Sequence, residues 1–412
     1  MEIPGYLVRG PLALVLQISR IHGVAPLRLE PRNNEYYAQN SSFMTHYSRF
    51  ILIILSKKAS FLIKITDILT LIGLVLDLFD VRTKKAIRVN TISSLVVWLI
   101  DVTSILIITG LGVFQGPYRM TRIMEHLKNI DKVKLKLKKI KAPRKQKLSV
   151  TIIFIMIGMY ILMAGDIGYY VMDAMTHGKS MIVVHLYGSQ YIKYSMAFFL
   201  HMQIALVILS AKSAFKTIND RLRELIQLLD LKCSHKLTSI EFLSAENSLR
   251  EIADCYVTIC NIIKDINEDN GILLIAMYMS SITYLVVSNY YLIAALCSPI
   301  GFMRNFNIIL QFIWCVYHSF KILLLIEPCH RTHEQMEETR VLASQLTYRM
   351  TPSGEPLPAE LDTFHKQLIL YNPSFSPLNI CTLNRSQIAG IIAGVTTYLL
   401  IIVQQRLIDE CT

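Results

Sequence analysis

Long apolar runs separated by charged segments limit this chain to few kinds of fold. Each run has about twenty residues or more, the length that an α-helix needs to cross the hydrocarbon core of a bilayer. Seven runs meet this criterion, at residues 59–79, 91–114, 148–171, 182–210, 272–298, 306–326 and 388–407. Only 17% of the 412 residues are charged, against roughly 25% in ordinary soluble domains. The sequence therefore predicts an all-α, polytopic membrane protein with seven transmembrane helices.

The first run is less regular than the others because Lys64 lies inside it. Asp67 follows at helical spacing, where it can pair with Lys64 and reduce the cost of a charge in the membrane. All 13 prolines lie outside the seven runs. Because no proline interrupts a run, the sequence predicts continuous helices. Many secondary transporters have interrupted helices at a central substrate site, so the pattern does not favour a transporter.

Lysine and arginine are distributed unequally among the connecting segments. The segment 115–147 alone carries twelve of them, and the other connections on the same side are also rich in them. Basic residues concentrate on the cytoplasmic side, so we expect the N-terminus inside and the C-terminus outside. A basic run also suits nucleic acid, but between two membrane spans contact with anionic lipid is favoured. Membrane lipid is therefore an expected partner and nucleic acid is not.

The connections on the cytoplasmic side are themselves predicted to be helical. Ile218, Leu222, Leu225 and Leu229 follow at the spacing of an amphipathic helix that continues the fourth span. A further helix is predicted to begin past Glu327 and Pro328, and a short one near 361–370. The predicted organisation is a cytoplasmic N-terminal segment (1–48), spans one to four (49–210), helical anchor extensions (211–271), spans five and six (272–326), a cytoplasmic loop with an anchor helix (327–387) and span seven (388–407).

The chain lacks the motifs of familiar enzymes. It contains no G-x-x-x-x-G-K, no G-x-S-x-G and no H-E-x-x-H sequence. Cys329, His330 and His333 lie close together, but a zinc site needs four ligands and no second pair follows at suitable spacing. We therefore expect no enzyme, no cofactor and no metal site.

Polar and aromatic side chains lie inside several spans. An ion pair between Asp166 and Lys193 and a belt of interfacial tyrosines would account for some of them. The whole set is better explained by a small-molecule pocket that opens outward, since such pockets combine aromatic walls with a few polar groups. The candidate pocket residues are Trp98, Asp101, Asp166, Tyr170, Lys193, Tyr284, Asn289, Gln311 and Trp314.

The seventh run carries small and polar residues along one helical face. Gly390, Gly394, Thr397, Ile401 and Gln405 are separated by three or four positions and share that face. Close packing through small residues explains the two glycines but not the amide. Several copies of the helix around a symmetry axis would instead place the amide end at an aqueous opening, which predicts a homo-oligomer.

The end of this run resembles the C-terminal signature of the insect gustatory receptors, a family of the seven-transmembrane insect chemoreceptor superfamily. The signature is Thr-Tyr, five mostly apolar residues, Gln and Phe, and the chain has Thr397, Tyr398, LLIIV and Gln404. Gln405 stands where the family usually has Phe. Weaker resemblance covers AIRVNTISSLVVWLID, HLKNID and the region from CHRTHEQ onward.

The resemblance implies a tastant-gated, non-selective cation channel that mediates chemosensory acceptance or avoidance. It implies a homotetramer, or assembly with other gustatory receptor subunits, around a pore lined by the seventh helix. The pore and gate would then involve Thr397, Ile401, Gln404 and Gln405, and the ligand would be a small-molecule tastant. The implied location is the dendritic cell membrane of sensory neurons.

Two other functions remain open. A G-protein-coupled chemoreceptor also has seven spans, but it would have an outside N-terminus and proline-kinked helices. An obligate co-receptor subunit of a heteromeric taste channel would share every feature described so far. Asp166 and Lys193 suit a sugar-like ligand and a cationic bitter ligand equally well.

Overall fold

The computed structural model describes residues 6–8, 10–32, 35–41, 43–50, 92–137, 146–176, 182–232, 239–297, 301–350 and 358–411. The predicted first span, at 59–79, lies outside these residues. The helices are α1 (Gly10–Ile21), α2 (Ile92–Phe114), α3 (Gly116–Leu137), α4 (Gln146–Thr176), α5 (Ile182–Lys232), α6 (Ser239–Leu296), α7 (Phe302–Met350), α8 (Ala359–Leu370) and α9 (Ser386–Cys411).

Four of the described helices, α4 to α7, are long and apolar enough to cross a membrane. The pair α2 and α3 would add a fifth span, although the two helices meet at an angle of 65°. The described apolar part of α9, Ser386–Ile401, is shorter than these. The structure therefore supports a multi-pass helical membrane protein, and the number of seven spans stays a prediction.

The helices α5, α6 and α7 are much longer than one membrane crossing. They contain 51, 58 and 49 residues, whereas about 20 residues span the hydrocarbon core. Their extensions pack together with α3 and α8 at one end of the bundle, here called the polar end. Ile218, Leu222, Leu225 and Leu229 are all buried there, as their spacing predicts.

The polar end is also held together by charge. Arg122 of α3 donates from Nε to Asp269 of α6 at 2.7 Å, and the Tyr118 hydroxyl donates to the same carboxylate at 2.8 Å. Burial favours the protonated carboxyl, but these two donors outweigh it and hold the pKa of Asp269 below its usual value. The basic segment predicted as a connection is therefore largely a docked helix, α3.

The region around Pro328 differs from the expectation that a new helix begins after it. The helix α7 continues through Pro328 without a break. Proline removes one backbone donor from a helix and leaves the carbonyl four residues earlier, that of Leu324, without its usual partner. Two neighbouring side chains bond to other carbonyls of these turns. Thr332 donates to the Pro328 oxygen at 2.7 Å, and the Cys329 thiol donates to the Leu325 oxygen at 3.2 Å. A single rigid rod therefore joins the membrane part of α7 to the polar end.

The N-terminal region corrects the prediction of an all-α fold. It contains a three-stranded antiparallel sheet with the order β1-β3-β2, formed by β1 (Tyr6–Val8), β2 (Leu27–Arg32) and β3 (Glu35–Asn40). The strands have six residues or fewer, so their alternation is too short to stand out in the sequence. The helix α1 buries Val15 and Leu16 and packs against α4 and α5.

Candidate ligand-binding site

Five helices enclose a chamber with polar and aromatic walls. It lies between α2, α4, α5, α6 and α7, among the apolar segments of the bundle. The lining residues are Asp101, Asp166, Gln190, Tyr191, Tyr194, Tyr284, Val287, Ser288, Tyr291, Gln311, Trp314 and His318. Aromatic walls with a small number of converging polar groups are typical of small-molecule sites.

Helical spacing places these side chains on common faces. Gln311, Trp314 and His318 of α7 are three and four positions apart, so they point to the same side of the helix. Tyr191 and Tyr194 of α5 follow the same rule. The chamber thus arises where one polar face of α7 meets one polar face of α5.

Trp314 is the centre of the aromatic wall. Its ring lies 6.4 Å from that of Tyr191 and 5.4 Å from that of His318, with angles between planes of 25° and 20°. His318 stacks in turn on Tyr284 at 5.3 Å. The wall therefore presents flat faces on which a ring or an apolar sugar face can stack.

Two carboxylates give the chamber its acceptor groups. Asp166 accepts a hydrogen bond from the Tyr191 hydroxyl, and Asp101 accepts one from the Tyr194 hydroxyl. Both acids are buried, with exposures of 1% and 7%. Charged groups in a membrane need such partners. The two bonds also join α5 to α4 and to α2, so a ligand that competes for either acid would disturb helix packing.

The chamber is small in the observed conformation. Its volume is about 30 Å³, and one water needs on the order of 10–15 Å³ by this measure. A molecule of several heavy atoms can enter only if side chains or helices move apart.

The structure brings together five of the nine predicted pocket residues, namely Asp101, Asp166, Tyr284, Gln311 and Trp314. The others do not line the chamber or are not described there. Tyr170 packs against Tyr169, Lys193 donates to Gln190 at 3.4 Å, and Asn289 donates to the Leu285 oxygen in its own helix at 2.7 Å. Trp98 lies on α2, and the structure does not describe its side chain.

Sequence reasoning missed several lining residues, including Tyr191, Tyr194 and His318. The tyrosines share the face of α5 that carries Gln190, and His318 is one turn beyond Trp314 on α7. Spacing from residues already in the candidate set would have identified His318. The tyrosines required knowledge of which face of α5 points inward.

The helix α9 is the least covered of the apolar helices described. Thr397 and Gln404 are exposed, and Tyr398 and Ile401 have exposures of 39% and 47%. A Cβ added at Gly390 or Gly394 would have no atom from other parts of the protomer within 4 Å. Gln405 lies on the helix, but its side chain is not described. One face of α9 is thus left open by the rest of the protomer.

A charged contact connects α9 to the helix that carries the chamber. Arg385, directly before α9, donates to Glu327 of α7 through Nη2 at 2.7 Å and Nε at 3.0 Å. These bonds from Arg385, and that from Arg331, hold the pKa of Glu327 at about 2. The start of α9 is therefore fixed to the rod that also positions Gln311 and Trp314.

Comparisons with known proteins agree with this architecture. A solved structure of the insect olfactory receptor OR5 from Machilis hrabei superposes with a TM-score of 0.53, at 15% identity, over 95% of this chain and 97% of that one. The gustatory receptor for sugar taste 43a of Drosophila melanogaster is 25% identical over 157 residues, which cover 38% of this chain and 35% of the relative. The family model for the 7tm chemosensory receptors matches residues 12–408. The chain is therefore a member of the 7tm chemosensory receptor family, and as such a receptor and not an enzyme.

Proposed function

We propose that this chain is a gustatory receptor that acts as a tastant-gated, non-selective cation channel. A small polar tastant binds in the chamber, and α9 of several copies lines the pore. The observation that carries the proposal is the separation of two regions in one protomer. One is an enclosed polar chamber, and the other is an apolar helix with an open face.

The chamber is suited to a ligand with several hydroxyl groups. Asp101 and Asp166 provide acceptors, and Trp314 provides a flat face for stacking. A cationic ligand would use the same acids and rings. The name of the Drosophila relative refers to sugar taste, which favours the hydroxyl-rich ligand, although the match covers about a third of that protein.

The open face of α9 is suited to contact with other copies of the chain. An apolar helix whose glycine side meets nothing within its own protomer can pack closely against a symmetry mate. Four copies around an axis would place the amides of Gln404 and Gln405 at the opening. With the N-terminus inside, the polar end is the cytoplasmic anchor and the gate faces outward.

Ligand-evoked current tests the proposal directly. The chain is expressed alone in oocytes and exposed to sugars, bitter compounds and amines while cation current is recorded. We expect current from at least one compound, and a loss of sensitivity of about tenfold or more for Trp314→Ala and Asp101→Asn. Asn289→Ala is the matched control, because Asn289 lies on α6 beside the chamber but bonds to its own helix.

Two results would indicate a different function for this chain. Current that appears only when another gustatory receptor subunit is present would identify an obligate co-receptor subunit. Responses that vanish in excised patches and need soluble cytoplasmic components would favour a G-protein-coupled receptor. If no subunit combination responds and the N-terminus is labelled from outside the cell, the proposal is wrong.

A further inference from the structure

One face of α7 carries four buried polar side chains, each of which has a nitrogen or oxygen atom without a hydrogen-bond partner. They are Trp314, Tyr317, His318 and Lys321, spaced like a helical stripe, with exposures of 5%, 9%, 4% and 0%. The unpartnered atoms are the Trp314 Nε1, the Tyr317 hydroxyl, the His318 Nδ1 and the Lys321 Nζ. Buried polar groups are almost always satisfied, so four on one face require an explanation.

The four side chains form a compact cluster at the floor of the chamber. The rings of Trp314, Tyr317 and His318 lie 5.2 to 5.4 Å from one another. The Lys321 Nζ lies 4.9 Å from the centre of the Tyr284 ring, which itself stacks on His318. Trp314, His318 and Tyr284 also line the chamber. Two of the four, Trp314 and His318, therefore line the space that a ligand would enter, and Tyr317 and Lys321 pack against rings that line it.

The charge of Lys321 is not balanced by a direct contact. Its Nζ faces the rings of Tyr284 and Tyr317, and the Asp101 carboxylate acts on it through space without a direct ion pair among the described residues. Contact with aromatic faces stabilises the cation but leaves the three N–H donors of an ammonium unsatisfied. A second buried base, His201, lies nearby and is bonded to Ala197 and Ser281. The surroundings are thus rich in donors.

We propose that this cluster is an anion-binding floor of the chamber. Its occupant is a chloride ion or the carboxylate group of a small ligand, held by the Lys321 ammonium and the Trp314 indole N–H. This inference rests on the proposed function in one respect: both assign ligand binding to the same chamber. Such an anion would give the unpartnered N–H groups of the cluster an acceptor, and it would add a direct contact to the counter-charge that Asp101 supplies at a distance.

The size of the chamber supports a small occupant of the floor in the observed conformation. A volume of about 30 Å³ accommodates a small ion or a carboxylate group with a water. Asp101 and Asp166 lie on α2 and α4, where tyrosine hydroxyls donate to them. A carboxylate ligand with hydroxyl or ammonium groups would match the donor floor on α7 and these acceptors at once.

Tryptophan fluorescence can test the floor without any channel current. The chain has two tryptophans, so Trp98→Phe leaves Trp314 as the only indole. The full chain is placed in lipid nanodiscs, and bromide replaces isethionate at constant ionic strength. Bromide quenches indole on contact. We expect quenching that saturates, and an apparent affinity at least tenfold lower when Lys321→Met is added.

Lys193→Met is the matched control, since Lys193 is also completely buried but donates to Gln190. This variant should keep saturable quenching. If Lys321→Met does not elute as a folded protein, Lys321→Gln removes the charge with a smaller change in polarity. Lys321→Arg should retain binding.

Competition distinguishes the two sources of the anion. Displacement of bromide by chloride and by acetate assigns the floor to a ligand carboxylate, and displacement by chloride alone assigns it to an inorganic ion. Quenching that rises linearly without saturation, or that is unchanged by loss of the Lys321 charge, overturns the proposal. A chain that gives no current in oocytes but binds bromide in this assay would refute the channel and not the floor.

Discussion

The helices α5 and α9 are both apolar, but they differ in how much of their surface is buried within the protomer. Of the apolar segment of α5, 83% is buried, and the helix packs against α1, α2, α3, α6 and α7. In α9, Ile392 and Leu400 are about 60% exposed, and the main contacts are with α6 alone. Other helices of the same protomer thus cover most of the apolar surface of α5. The helix α9 leaves its surface to lipid or to other copies.

This difference allows effects on the folding of one protomer to be distinguished from effects on the assembly of several. A substitution in α5 should act on the stability of one protomer, whereas a substitution on the open face of α9 should act on the contact between protomers. Each prediction that follows changes one side of this comparison and leaves the other as a control.

The largest effect is expected from truncating a buried ring of α5. Phe198 has no exposed surface and packs against Phe199 and Tyr317. Phe198→Ala should destabilise the folded protomer by about 3–5 kcal/mol, because it removes buried contacts and leaves a cavity. Ile392→Ala on α9 should change protomer stability by less than about 0.5 kcal/mol. Thermal melts in detergent, followed by size-exclusion chromatography, compare the two. Equal destabilisation would contradict the comparison.

A bulky residue on the glycine side of α9 should affect assembly more than folding. A Cβ at Gly394 has nothing from other parts of the protomer within 4 Å, so Gly394→Leu should not lower the melting temperature of the monomer. Between closely packed copies the same side chain would clash, and native mass spectrometry should show loss of the tetramer. Gly158→Leu on α4 is the control, since that position is also open. A full tetramer for Gly394→Leu would show that this side of α9 faces lipid.

The residue that departs from the family signature should set the resting current. A ring of amides at Gln405 stays hydrated more readily than a ring of phenylalanine, which can close a pore by dewetting. Gln405→Phe is therefore expected to lower basal current severalfold while surface expression stays constant. Basal current equal to that of the original chain would refute the role of Gln405 in the gate.

The contact between Arg385 and Glu327 should transmit ligand binding from α7 to α9. Arg385→Glu is expected to reduce the evoked current without changing protomer stability, since the pair is partly exposed. The exchange of both charges, Glu327→Arg with Arg385→Glu, should restore part of it. In the original chain the pKa of Glu327 is about 2, so its carboxylate is ionised throughout pH 5–8. Arg385→Glu removes the main cause of that low pKa, so all variants are compared at one fixed pH of about 7. A double variant no better than the single one would argue against coupling through this pair.

Several features could be predicted from the sequence because they depend on local patterns. Hydropathy located the long apolar helices α4 to α7, and spacing identified the buried stripe at Ile218 to Leu229. The continuity of α7 could not be foreseen, because a proline usually ends a helix and only the structure shows that α7 runs through Pro328. The N-terminal sheet was missed because its pairing depends on strands too short to show a period. For the chamber, composition suggested the acids and Trp314, but only packing revealed which face of α5 supplied its tyrosines.

The central claim is that the amide side of α9 faces water in a conduit between copies while Ile392 does not. Cysteine substitution at Gln405 and at Ile392, followed by a cationic thiosulfonate reagent added outside the cell during evoked current, tests it most directly. The account predicts rapid loss of current for Gln405→Cys and no change for Ile392→Cys or for the unmodified chain. Block at Ile392→Cys together with an inert Gln405→Cys would contradict it.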